Sequence, residues 1–340
     1  MEAGGVSGAA AGLPIDWQAP WMAPYLDLRP QVESPDWRAA LTQAAARRGV
    51  RTAGGRPLQF VAADDAGSIA YEAHIAATGR VPSRDNAHDL FNALVWLAFP
   101  QTKAALNARQ AEEIARDGVR DRRGPVRDAA TLIDESGLLL AADGEACAAL
   151  ARLDWPWLFG AQRARWRSQW RPFAFGHALL EKLRAPYKRL TAAVVCLPLA
   201  DENPGHADAA PGSGGAMRRA VDAAAVGATP VAIDAGRVAV AGAAAVVDAT
   251  PATADPAAVE AAAIAAARVA MDAAAARWVR DTPLSPKRLS HLPVLGIPGW
   301  WPANESPQFY ADADVFRLPH RVASPACGGA HGAAAPVGQR

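Results

Sequence analysis

A mainly helical α+β domain is the fold class this sequence predicts, and three observations carry it. Several long stretches space their apolar residues three and four apart, as an amphipathic helix does. Short β-branched or apolar runs such as RPLQFVAAD and LTAAVVCLPLA stand between them, and no repeat of solenoid period is visible. The 340 residues, 51% hydrophobic and 20% charged, suffice for a substantial core, although alanine swells the apolar share without adding volume. The expected layout is a disordered leader at 1–12, one globular domain at 13–318 and a disordered tail at 319–340. A flexible Ala/Gly/Pro-rich insertion is expected at 203–250, where little bulky apolar surface is available to offset the entropy of ordering it.

The elements follow in order. IDWQAPWMAPYLDLRP is too rich in Pro for regular structure and is expected to lie over the core. SPDWRAALTQAAARRG reads as a helix with Ser34 as N-cap, Pro35 at its first position and Gly49 just past its end. RPLQFVAAD reads as a strand and SIAYEAHIAATG as a helix stopped by Gly79. Asn86 then caps a helix to Phe99, with Asp89 approximating the partner in a capping box. Pro100 suits the first turn of a second helix that ends at Gly118. AATLIDESGLLLA reads as a β-hairpin turning at Glu135-Ser136-Gly137, Leu153 to Leu183 as helical and aromatic, and LTAAVVCLPLA as a buried strand. ADPAAVEAAAIAAARVAMDAAAARWVR is a long Ala-rich helix, and LPVLGIPGWWPANESPQFYADADVFR an irregular Trp/Pro-rich C-terminal strap.

Charge and cysteine content bound the function. A formal net charge of +1 gives no general polyanion signal. Cys147, Cys196 and Cys327 are odd in number and share no metal-like spacing, which points to free thiols in a reducing compartment. The first residues lack a basic region followed by a compact apolar one, so the expected location is cytoplasmic. No membrane partner is expected: the most apolar region, Ala220 to Val279, is broken by Asp222, Asp234, Asp248, Asp255, Glu260 and Asp272.

The chemistry is expected around Gly79 to Asn107, where Arg84, Asp85, Asn86, His88, Asp89, Asn92, Lys103 and Asn107 accompany an otherwise apolar helix. Such a helix is buried, and polar groups buried with it must be paired or used. His88 and Asn92 stand one turn apart on one face, suited to binding a metal, orienting a substrate, or acting as acid/base and orienter. A core-fixing hydrogen-bond network is the bland alternative. His177 and Glu181 in FGHALLEKL form an i, i+4 pair that can complete a metal shell or simply pair on a helix flank. The run from Trp155 to Arg189, with Arg163, Arg165, Arg167 and Arg171 beside Trp157, Trp166 and Trp170, would suit nucleic acid or a solvated helix whose arginine stems cover apolar surface. Asp134 and Glu135 are adjacent carboxylates in the expected hairpin turn, where such residues commonly sit.

Three blocks together resemble an uncharacterised bacterial family, the domain of unknown function 3025. They are GRVPSRDNAHDLFNALVWLAFPQTKAALNARQ, the pair RGPVRDAATLIDESG and FGHALLEKLRAPYKRLTAAV, and LPVLGIPGWWPANESPQFYADADVFR. The Ala-rich stretch after Asp201 departs from the pattern, and the resemblance implies no activity. A smaller stretch, Asn92 to Trp96 followed by Lys103 and Asn107, is similar to part of the HNH nuclease motif, but the upstream Asp-His pair is missing.

The functional expectation is a metal-assisted or acid/base hydrolase acting on a phosphate-containing or nucleic-acid substrate. His88 would be base or ligand, Asp89 its orienter or co-ligand, and Asn92 a donor to the substrate or to a group supporting the ligands. His177 and Glu181 would complete the site, with His88, His177 and Glu181 as candidate ligands for a divalent metal, and Arg84 and Lys103 would hold an anion. The rival expectation is a non-catalytic binding or scaffold protein whose polar helix is structural.

Overall fold

The computed structural model describes residues 14–63, 70–118, 124–198 and 255–317. The expected leader at 1–12, the insertion at 203–250 and the tail at 319–340 lie outside the described residues. Helices dominate, joined by one two-stranded and one four-stranded sheet, so the fold is α+β and mainly helical.

The Pro-rich start, Pro20–Leu28, is a 3-10 helix that buries Trp21, Tyr25 and Leu28. Helix α1 (Trp37–Arg47) starts later than Ser34, because the Asp36 carboxylate accepts the Ala39 N–H at 3.0 Å and is the effective cap. Strand β1 (Gln59–Ala62), helix α2 (Tyr71–Thr78) and strand β2 (Arg80–Ser83) follow, with the strands paired in parallel. Gly79 ends α2 at φ +74°, where a Cβ would stand 2.2 Å from the Pro57 carbonyl oxygen, so only glycine fits.

Helix α3 (Ala87–Ala98) begins at Asn86, whose side chain accepts the Asp89 N–H at 2.8 Å. Every residue from Asp89 to Ala98 is buried, which makes α3 the central helix. Helix α4 (Pro100–Asp117) follows at once, with Pro100 in its first turn. Helix α5 (Pro125–Ser136) runs into strand β3 (Gly137–Ala142), which corrects the expected hairpin. Val126, Ala129, Ala130 and Ile133 have helical spacing and pack inward, and the strand-like run LLLAA starts only after Gly137.

Helix α6 (Gly144–Ala151) precedes a region that is not continuously helical as expected. Pro156, Gly160, Pro172 and Gly176 break it into a π-helical turn (Pro156–Ala161), a four-residue helix (Arg165–Ser168), strand β4 (Arg171–Ala174) and helix α7 (His177–Lys182). Strand β5 (Thr191–Pro198), helix α8 (Pro256–Asp281) and strand β6 (Ser290–Pro293) follow. The large sheet has order β4-β3-β5-β6, with β3 and β5 parallel and both outer pairs antiparallel. α8 packs along α4, where its alanines permit close approach, and Asp272 accepts the Gln101 and Thr102 N–H groups at 3.0 and 2.8 Å, capping α4 from a neighbouring helix.

The C-terminal strap buries Trp300, Phe309 and Phe316, and Asn304 inside it donates to the Leu295 and Ile297 carbonyls at 2.8 and 2.7 Å. Cys147 on α6 and Cys196 on β5 form a disulfide, which corrects the expectation of free thiols; they are 49 residues apart in sequence and become neighbours only when α6 packs on the sheet. No helix among the described residues is long and apolar enough to cross a membrane.

Candidate functional site

Five helices meet at a cavity of about 590 Å³: α2, α3, α4 through Gln110 and Ile114, α5 and the start of α7. Their meeting depends on two glycines. Gly176, just before α7, donates its N–H to the Gly137 carbonyl at 2.8 Å, and a Cβ on Gly176 would meet the Glu135 carbonyl oxygen at 2.4 Å. This close backbone approach sets His177 beside the end of α5.

The imidazoles of His88 and His177 touch, with Nε2 to Nε2 at 3.0 Å and ring centroids 4.4 Å apart. Glu135 Oε2 lies 3.6 Å from His177 Nε2, and the ligand atoms of His88, His177 and Glu135 all fall within 4.8 Å of one another. Two histidine nitrogens and a carboxylate oxygen gathered so closely form a donor set suited to zinc and similar divalent ions. Glu181 Oε2 is 3.0 Å from His88 Nδ1, on the far side of the ring from the other two donors. That carboxylate fixes the ring and leaves Nε2 facing His177, the usual support for a metal-binding imidazole. Asp134 Oδ2 stands 3.6 Å from His177 Nδ1, a buried atom without a hydrogen-bond partner.

Burial lowers His177 to about 4, with Lys103 and His88 adding to the effect against Asp134, so the ring is neutral. With His88 Nδ1–H given to Glu181, the proton between the two Nε2 atoms sits on His177 and would be released on binding an ion. Burial also raises Glu135 above the usual carboxylate range, with Asp134 adding to it. For Asp134 burial works upward, but the Lys103 ammonium, which also donates to it, outweighs burial and holds the carboxyl low. The Lys103 ammonium, itself 4% exposed, donates to Asp134 at 2.5 Å and to Asn92 at 2.8 Å. Asn92 donates in turn to the Tyr71 hydroxyl at 3.0 Å. Burial and Asp134 push Glu72, which accepts from Asn107 at 2.6 Å, up to about 7.

His88, His177 and Glu181 therefore come together, but Glu181 sits behind His88, and the third donor facing the imidazoles is Glu135. Asp89 does not reach His88; it accepts from the Arg84 backbone and guanidinium at 2.7–3.1 Å. Asn92 and Lys103 bond to each other, so two polar residues of the stretch likened to an HNH motif are mutually engaged, and among the described residues no hairpin precedes it. Sequence reasoning missed Glu135 as a donor because it placed the residue in a turn. A helical reading of 125–136 would have put Arg127, Thr131, Asp134 and Glu135 on one face. The basic aromatic run offers less to nucleic acid than its composition suggests: Trp166 and Trp170 are buried. Arg163 and Arg167 pair with Glu305, Arg165 with Asp143, Lys188 with Asp312 and Arg189 with Asp314.

A family described as "protein of unknown function (DUF3025)" matches residues 58–223 and 232–321. No curated protein and no solved structure matches the chain.

Proposed function

The chain belongs to the DUF3025 family, whose description names no activity, and we propose from the site that it is a metal-dependent hydrolase. The observation that carries this reading is the convergence of ligand atoms from His88, His177 and Glu135 within 4.8 Å of one another, backed by Glu181 and open to a cavity. Three protein donors beside open space leave a coordination position for water, and a bound divalent ion would lower the pKa of that water toward neutrality. In hydrolysis the water oxygen bonds to the carbonyl or phosphoryl centre and one of its protons ends on the leaving group. Glu72, at about 7, is the carboxyl in the cavity best matched to relay that proton at neutral pH.

Location belongs to the same reading. The Cys147–Cys196 bond favours an oxidising compartment over the cytoplasm expected from the sequence. Fractionation of the native host's cells, with thiol trapping, decides between them.

The functional test is metal analysis of the purified protein, followed by chelation, reloading with Zn²⁺ or Mn²⁺, and hydrolysis of a panel of chromogenic esters and phosphoesters. Stoichiometric metal in the wild type, its loss in His177→Ala and Glu135→Gln, and hydrolysis that follows the metal would support the proposal. A well-folded wild type that takes up neither ion overturns it and favours the scaffold reading, in which the Lys103–Asp134–Asn92 network serves only to fix the core.

A further inference from the structure

Arg127 carries a charge in this cavity that no protein group claims. It lies on α5 two turns before Glu135, and with Thr131 and Asp134 between them the four residues line one wall. Its Nε is sealed from solvent without a hydrogen-bond partner, and the guanidinium makes no ion pair among the described residues. The other cations here are committed. Arg84 Nε and Nη2 bind Asp89 at 2.9 and 3.1 Å, and Lys103 is held by Asp134 and Asn92. Glu72 feels the Arg127 charge but is occupied by Asn107 and forms no ion pair with it.

Leaving the buried Nε without a partner is costly, and the half-buried guanidinium presents a planar fork matched to a carboxylate or phosphate. We propose that Arg127 grips an oxyanion on the substrate while the bond to be cleaved lies at His88, His177 and Glu135. The reacting end rests on the hydrolase reading above; the anion site does not. Eight residues along one helix separate the Arg127 and Glu135 backbones by roughly 12 Å. The substrate is therefore a two-ended small molecule, with a phosphate or carboxylate at one end and a hydrolysable bond at the other. Arg84 and Lys103, the anion holders expected from the sequence, give up that role because each already has an acidic partner.

The test measures binding of inorganic phosphate and, separately, of succinate to the full-length chain by calorimetry and thermal shift. The proteins are the wild type, Arg127→Gln, Arg127→Lys and His177→Ala, with metal content measured in parallel. Wild type and His177→Ala should bind at least one of the two anions with similar affinity. Arg127→Gln should weaken that binding at least about tenfold, and Arg127→Lys, which keeps the charge without the fork, by a smaller factor. The metal content of both Arg127 variants should equal that of the wild type. Which anion binds identifies the group. Anion binding that disappears in His177→Ala but survives in both Arg127 variants overturns the proposal, because the anion would then sit at the metal position. Binding of neither anion to the wild type overturns it as well. A wild type without metal that still binds the anion through Arg127 refutes the hydrolase reading alone.

Discussion

Gly176 and Gly137 are in backbone contact: the Gly176 N–H donates to the Gly137 carbonyl at 2.8 Å, and no side chain fits between the two segments. A Cβ on Gly176 would lie 2.4 Å from both the Glu135 oxygen and the Gly137 nitrogen. Neither glycine needs a positive φ, so the requirement is one of space. The contact holds His177 against Glu135, so a core packing detail sets the geometry of the candidate metal centre.

Gly176→Ala must therefore move backbone, and overpacking of this kind costs about 1–3 kcal/mol. Thermal unfolding should show that loss together with metal affinity reduced at least about tenfold. Gly160→Ala, where an added Cβ meets nothing within 4 Å, is the control and should change neither. Equal metal affinity in wild type and Gly176→Ala would show that the close approach does not position the site.

Zn²⁺ should raise the melting temperature of the wild type and leave that of His88→Ala unmoved, since a ligand stabilises only the fold that binds it. In chelator the two proteins should melt close together. A loss of about 1–3 kcal/mol in His88→Ala, unaffected by metal, is what a purely structural histidine would give, because Glu181 and His177 would lose their partner.

Glu72 supplies a pH signature. Burial and Asp134 raise it from 4.5 to about 7, so between those values the folded chain holds a proton that the unfolded chain has released. Its contribution to stability is thus largest in acid and is lost as pH rises toward 7 and above, by on the order of 1–3 kcal/mol. Glu72→Gln keeps the oxygen that accepts from Asn107 and removes the titration. In chelator, the stability of Glu72→Gln relative to wild type should grow between pH 5 and pH 8. A difference that stays flat over that range, or shrinks, contradicts the raised carboxyl.

The Cys147–Cys196 bond closes a loop with a sequence separation of 49. Removing such a cross-link frees the unfolded chain and costs about 2–4 kcal/mol. Cys147→Ser should melt lower than the oxidised wild type by that amount and match the reduced wild type. Coincident melting of oxidised and reduced wild type would mean that the bond contributes nothing to the fold.

Local chemistry was legible in the sequence. The Asn86 cap, the buried helix after it, Pro100 opening the next helix, Gly79 closing α2 and the long Ala-rich helix all follow from spacing, capping and turn preferences within a few residues. The polar residues on that buried helix marked where the candidate site lies, because a fold holds such groups only when they are paired or used. What each one does was decided at a distance. Asn92 and Lys103 turn to each other and to Asp134, Asp89 turns to Arg84, and Glu181 moves behind His88. Glu135 became a donor because 125–136 is helical, where two carboxylates before a glycine had suggested a turn. The disulfide and the Gly137–Gly176 contact join residues 49 and 39 positions apart (196 minus 147, 176 minus 137), and no periodicity in a single sequence encodes such pairings. Helical and strand spacing reports which face of an element turns inward; which faces then meet is settled by packing the whole core.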